Sequence, residues 1–240
     1  MGYCGLAEFI GRLEKAGELI RIKEFVDPEL EITEITDRFS KQEKGGKALL
    51  FENTGTDFPL LINAFGSEKR ICMALGVNSL DEPLKQMEDT ITSLLSSGKK
   101  KMGKLQLLSE LTKVSSYLPK KVTQKGICQE VIHQQPDLAT LPILKCWPKD
   151  GGRFITLPVV HTADPETGIQ NIGMYRMQVF SENLTGMHWH KHKGGAKHFE
   201  MYKQRKKRMP VAVALGGDPV YTYCATAPMP EQINEYILAG

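Results

Sequence analysis

The 240-residue chain lacks several things at once, and each shortage removes a class of protein. Its five cysteines, Cys4, Cys72, Cys128, Cys146 and Cys224, are odd in number, scattered and without a CxxC pair. That excludes a disulfide framework and a thiolate zinc site and fits a reducing cytoplasm. No apolar run approaches the roughly 18 residues a spanning helix needs, so no integral membrane segment is expected. Glu8 comes too early for a secretory h-region, and Leu6 stands where a myristoylation signal wants Ser or Thr. Charge of one sign is also missing. Thirty-one Lys+Arg against 28 Asp+Glu leave +3, too weak a bias to imply a nucleic-acid partner. GxSxG, HExxH and GxGxxG are all absent, and LGGDP at 215–219 is not followed by GK[ST]. The usual hydrolase, metalloprotease, Rossmann and Walker readings fall with them.

What is present is ordinary globular composition, 41% hydrophobic and 25% charged, enough to bury a core. Leu6, Phe9, Ile10 and Leu13 at i, i+3, i+4 and i+7 predict a helix over 5–16, stopped by Gly17. A strand at Leu19–Ile22 follows, then a helix opened by Asp27-Pro28 and running to Ser40. Strands are expected at Ala48–Glu52 and Pro59–Phe65, and a short helix from Ser67 to Gly76. Further helices are expected around Leu84–Leu95 and Leu105–Val114, flanking the lysine-rich GKKKMGK at 98–104, which reads as a solvated loop. From Lys120 the pattern turns to β-branched and alternating runs cut by Pro, Gly and Asn. ADPETG predicts a hairpin, with Gly168 free to take positive φ. A final apolar helix starts at Pro230 and breaks off, so a continuation beyond Gly240 is expected.

Several residues could carry chemistry. Arg176, inside the otherwise apolar and amide-bearing NIGMYRMQ, is either a surface arginine on an edge strand or a planar fork for a carboxylate or phosphate. Asn171 either caps the turn after Gly168 or offers its amide oxygen to a cation. Five positions separate the two, so a shared site needs a bulge or bend. His188, His190 and His192 alternate in MHWHKHKGG. They suit metal chelation on one strand face, or a mixed role with one histidine near a ligand and the others solvated. Lys193-Gly194-Gly195 opens a helix near Ala196 whose free N–H groups would suit a phosphate. Trp189 either stacks on an aromatic ring or packs in the core. KQRKKR at 203–208 is a solvated loop or, less economically, a nucleic-acid or membrane contact.

The run RFITLPVVHTADPETGIQNIGMYRMQ, with GMHWHKHKGGA, VAVALGGDP and ATAPMPE, resembles the UbiD family of prenylated-flavin-dependent decarboxylases. LAEFIGRLEKAGELIRIKEFVDPELEITEI and ALLFENTGTDFPLLINAFGSEKRICMALG resemble that family's opening domain. The resemblance implies an α+β fold, with an N-terminal α/β domain over 1–117. A flavin-binding split β-barrel follows over 118–240, incomplete at its C-terminal end, and the family's C-terminal part is absent.

For the site, the resemblance implies that Met174, Tyr175, Arg176, His188, Trp189, His190, Lys193 and Gly194 contact prenylated FMN. Arg176 would also hold the substrate carboxylate as the catalytic residue. Asn171 and His188 would bind a divalent metal, manganese, and the backbone at Ala225 and Thr226 a monovalent cation such as potassium. The substrate would be an aromatic or α,β-unsaturated carboxylic acid, such as a 4-hydroxybenzoate-type quinone precursor. A flavin prenyltransferase would supply the cofactor, and the full-length form would be a homo-oligomer. The resemblance places the catalytic acids and a glutamate metal ligand beyond Gly240, and Glu231 and Glu235 do not match them in context. The alternative is therefore a noncatalytic flavin- or phosphate-binding portion that lacks the acids.

Overall fold

The structure is a computed structural model that describes residues 2–83, 85, 119, 122–227, 229 and 234–239. The helices expected at Leu84–Leu95 and Leu105–Val114, the loop at 98–104, the boundary at 117/118, Pro230 and Glu231 lie outside the described residues.

Helix α1 (Leu6–Lys15) buries Phe9 and Leu13, the positions picked out by the helical spacing. Strands β1 (Leu19–Phe25), β2 (Ala48–Asn53) and β3 (Leu60–Ile62) form one sheet in the order β1-β2-β3. The first pair is parallel and the second antiparallel. Successive side chains of β2 point to opposite faces, and both faces are covered. Leu49 and Phe51 pack with Val26, Ile32 and Leu144, while Ala48 packs with Phe9, Leu13 and Ala74. A central strand sealed on both sides accounts for the unbroken apolar run ALLF, each large side chain contributing about 1.5–3 kcal/mol. Helix α3 (Glu68–Leu75) begins where Ser67 accepts the Arg70 N–H and ends at Gly76 in the left-handed region.

Helix α2 spans Glu31–Ser40 and so starts later than Asp27-Pro28 suggests. The intervening backbone is spent elsewhere. Leu30 N–H donates to the Lys145 carbonyl at 2.9 Å and Lys145 N–H to that of Pro28 at 3.2 Å, leaving Leu30 at φ 72°. A long-range bridge here overrides a local helix start.

Two further three-stranded sheets follow, β4-β7-β8 and β6-β5-β9. Their strands are β4 (Phe154–Ile155), β5 (Val159–Ala163), β6 (Gln170–Met174), β7 (Met177–Ser181), β8 (Leu184–Met187) and β9 (Ala212–Ala214). The β5-β6 hairpin forms as its turn sequence requires: Asp164 accepts the N–H groups of Glu166 and Thr167, and Gly168 takes φ 72°. Helix α4 (Gly194–Gln204) follows β8, and α5 (Pro219–Cys224) and α6 (Tyr236–Ala239) follow β9. The α+β class inferred from the sequence holds. No helix among the described residues is long and apolar enough to cross a membrane.

Candidate active site

The chain changes sheets between Met174 and Met177. Strand β6 pairs with β5, β7 pairs with β4 and β8, and Tyr175-Arg176 is the link outside these ladders, with the Arg176 carbonyl accepting the His188 N–H at 3.1 Å. This is the bend that the five-residue spacing of Asn171 and Arg176 calls for, and it sends the two neighbours at the link into different surroundings. Tyr175 is buried, and its hydroxyl accepts the Gly195 N–H at 2.9 Å. Burial pushes that hydroxyl above its ordinary pKa, against the hydrogen bond from Gly195. Arg176 instead lays its guanidinium 3.8 Å over the Phe154 ring and bonds Asp150 Oδ2 through Nη2 at 3.2 Å.

On the Tyr175 side lies a cavity of about 640 Å3. Strand β6 supplies Asn171, the first turn of α4 supplies Lys193 and Gly194, and His192 precedes them. Lys193 Nζ stands 5.4 Å from the centroid of the Tyr175 ring. Two glycines permit this closeness. A Cβ at Gly194 would meet Asn171 Oδ1 at 1.8 Å, and one at Gly195 would meet Trp189 Cζ3 at 2.6 Å and the Tyr175 hydroxyl at 2.8 Å. Asn171 Nδ2 is buried and makes no full hydrogen bond among the described residues; the Asn171 side chain interacts with the Tyr175 hydroxyl, whose pKa it helps to lower, and retains donor capacity for a ligand.

The lining also carries a carboxylate, bound to the neighbour of Asn171 on β6. Glu235 is 7% exposed, and its Oε2 accepts the N–H of Ile172 at 2.7 Å, closing the free edge of β6. Burial raises its pKa, with the Ile172 N–H opposing. One sequence signal could have found it, a lone charge within the apolar run INEYILA. His198 also lines the cavity, held by Thr162 Oγ1 at 2.9 Å from its Nδ1, as do Ala225 and Thr226.

Not every expected residue reaches this cavity. Strand β8 ends at Met187, so the regular alternation of the histidines stops there. His188 and His190 are exposed and stack on each other with ring centroids 5.3 Å apart, while His192 turns to the cavity. Trp189 sits between Tyr175, at 4.8 Å edge-on, and Phe199, stacked at 6.2 Å, which makes it part of the packing under α4. Met174, half-buried at the end of β6 opposite Val159, is not in the lining. Among the described residues no three His, Cys, Asp or Glu side chains gather into a metal cluster.

Residues 120–240 match the model of the 3-octaprenyl-4-hydroxybenzoate carboxy-lyase Rift-related domain, and residues 10–90 the N-terminal domain of the same carboxy-lyase. The chain belongs to the UbiD family. It is 50% identical to an uncharacterized protein of Archaeoglobus fulgidus over 242 residues, covering 100% of this chain and 49% of that one. Among solved structures, the closed form of the vanillic acid decarboxylase of Sedimentibacter hydroxybenzoicus is similar at TM-score 0.80 and 27% identity, over 100% of this chain and 48% of that one. An evolved dimeric form of the UbiD-class enzyme HmfF from Pelotomaculum thermopropionicum, in complex with prFMN, shares the fold at TM-score 0.74 and 22% identity, over 99% of this chain and 50% of that one. The chain thus spans about half the length of the curated relatives it matches.

Proposed function

We propose that this UbiD chain binds prenylated FMN and takes part in removing carbon dioxide from an aromatic or α,β-unsaturated carboxylic acid. The observation that carries the reading is the cavity where Asn171 meets the first turn of α4 with Lys193 at its edge. A helix N-terminus and a lysine favour a phosphate, and the two glycines let Asn171, Tyr175 and Trp189 pack directly against the start of α4. The residues fit the cofactor's phosphate end. Asn171, Glu235 and His192 are oxygen and nitrogen donors lining one cavity, a set suited to a divalent cation such as manganese. A cation there would offset the burial that raises the Glu235 pKa and would take Asn171 through Oδ1, while the unpartnered Nδ2, a donor, suits a phosphate oxygen. His188, the histidine that the resemblance suggests for the metal, lies outside this cavity, and His192 takes its place in our reading. Ala225 and Thr226 line the same cavity, and their backbone is where a potassium ion would be held.

When bound, prenylated FMN supplies the electron sink for breaking the bond to the carboxylate. The chain's own residues do the rest. Tyr175 would wall the cofactor near its phosphate end and Arg176 would orient the substrate carboxylate with its planar donors; Met174, His188, Trp189 and His190, which the resemblance also assigns to the cofactor, would meet it beyond this cavity. The partner chemistry is then a small carboxylic acid, a 4-hydroxybenzoate-type quinone precursor among the candidates, with a flavin prenyltransferase as cofactor supplier and a homo-oligomer as the assembled form. Incubating the prenylated-FMN-loaded protein with vanillate, 4-hydroxybenzoate and cinnamate should release carbon dioxide from at least one. No release and no carbonate exchange with any of them would contradict the reading.

A second reading has its own observation. Among the described residues the carboxylate next to Arg176 is Asp150, which is ion-paired with it and poorly suited to deliver a proton to carbon. The 240-residue chain would then be a cofactor-binding portion that depends on acids elsewhere, and turnover by this chain alone would rule that out.

A further inference from the structure

The setting of Arg176 is built by one short segment, residues 147–154. Asp150 is fixed before it meets the arginine: its N–H donates to the Trp147 carbonyl at 3.0 Å, and its Oδ2 accepts the Trp147 N–H at 3.2 Å. Its side chain is 16% exposed, against 39% for Arg176. Phe154 is fixed by β4, opposite Gln178 of β7, with its N–H on the Leu144 carbonyl at 2.8 Å. Gln178 Nε2 ties the intervening loop back by donating to the Gly151 carbonyl at 2.9 Å. The guanidinium therefore has its face on a ring and one nitrogen, Nη2, on a preset carboxylate. Nε and Nη1 have no hydrogen-bond partner among the described residues. With the side chain 39% exposed, those donors are open to an incoming carboxylate.

We propose that Asp150 is a positioning residue that, with Phe154, fixes the plane of the Arg176 guanidinium so that its remaining donors meet the substrate carboxylate in one orientation. This rests on Arg176 as the carboxylate-binding residue. The arrangement has a distinctive cost. Asp150 repels the incoming carboxylate while it orients the group that receives it, so it weakens binding and speeds turnover.

The test uses the intact flavin-loaded protein and Asp150→Asn, which keeps the shape and removes the charge. Benzoate serves as the carboxylate probe for binding and the best substrate found above for kinetics. The expected split is benzoate binding about threefold tighter with kcat about tenfold lower, at an unchanged melting midpoint. In nitrogen-15 NMR, with the Arg176 signal assigned by its loss in Arg176→Lys, rotation of the guanidinium should be slow in the parent and fast in Asp150→Asn. Phe154→Leu should loosen it likewise, and is the variant to read if Asp150→Asn fails to fold. Equal guanidinium mobility in parent and variants would overturn the proposal. So would a loss of kcat accompanied by weaker binding and a lowered melting midpoint, the mark of a merely structural pair. If Arg176→Lys leaves benzoate binding unchanged, the carboxylate reading itself fails, while the NMR signal still decides whether Asp150 holds the guanidinium.

Discussion

At the residue scale, the cavity concentrates its demands on two positions. Glu235 completes the hydrogen bonding of β6, so Glu235→Ala leaves the Ile172 N–H buried and unpaired and should cost about 1–3 kcal/mol in urea unfolding. Glu235→Gln, which still offers an amide oxygen, should keep most of that stability. Equal losses for both would mean that the hydrogen bond contributes little. Gly194 is there because any side chain would collide with Asn171. Gly194→Ala should therefore weaken FMN binding by at least about tenfold, equivalent to about 1.4 kcal/mol, as read by calorimetric titration. Lys193 and Gly194 stand out in the sequence as a lysine and glycines at a helix start, whereas Asn171 and Tyr175 are assigned to a site only by the resemblance; the fold brings all four to one cavity. Glu235 was not legible, since its role depends on a long-range contact to Ile172, 63 residues away, that no local pattern encodes. Asp150 was invisible for the same reason.

At the scale of elements, the β5-β6 hairpin is braced by two histidines that burial keeps neutral. His161 Nε2 lies 3.2 Å from the Tyr236 hydroxyl, and His198 Nδ1 lies 2.9 Å from Thr162 Oγ1. Burial lowers the pKa of both below the ordinary 6.5, with Asp164 opposing for His198. A folded pKa below the unfolded value means that the unfolded chain takes up protons first. The contribution is present above pH 6.5 and lost as pH falls through the lowered folded values. Urea midpoints should therefore decline on acidification through that window, and the double variant His161→Gln, His198→Gln should flatten the decline. An unchanged slope in the double variant would contradict it.

Elements set by local signals, α1, α3 and the β5-β6 turn, formed where the sequence placed them. Helix α2 did not, because its first turn was claimed by Lys145. Because β8 ends at Met187, the three histidines do not share a strand face; of the two arrangements the sequence allows, the mixed one is found, with His192 on the cavity and His188 and His190 exposed.

At the scale of the whole molecule, the contacts that join the N-terminal sheet to the later part of the chain include the packing of Leu144 against Leu49 and Phe51, the backbone bridge at Pro28, Leu30 and Lys145, the Lys145–Glu29 ion pair at 2.9 Å, and Tyr3 N–H on Asp218 Oδ2 at 2.7 Å. Inside the first sheet, fully buried Arg70 binds the Gly46 carbonyl at 2.6 Å and Glu18 Oε2 at 3.1 Å. Burial alone would raise the Glu18 pKa, but Lys69 and Arg70 together hold it below the usual carboxylate range. Arg70→Met should destabilise the chain by about 3 kcal/mol without changing flavin affinity, because Arg70 is not in the cavity lining. A matching loss of flavin binding would mean that the two parts are coupled more tightly than these contacts imply.

The central claim is that the cavity between Asn171 and the start of α4 receives the phosphate of a flavin. Titrating FMN and riboflavin separately into the protein tests it most directly, because the two ligands differ only in that phosphate. FMN should bind at least about tenfold tighter than riboflavin, and Gly194→Ala should erase the difference. Equal affinities, or a preference for FMN that survives Gly194→Ala, would contradict the account.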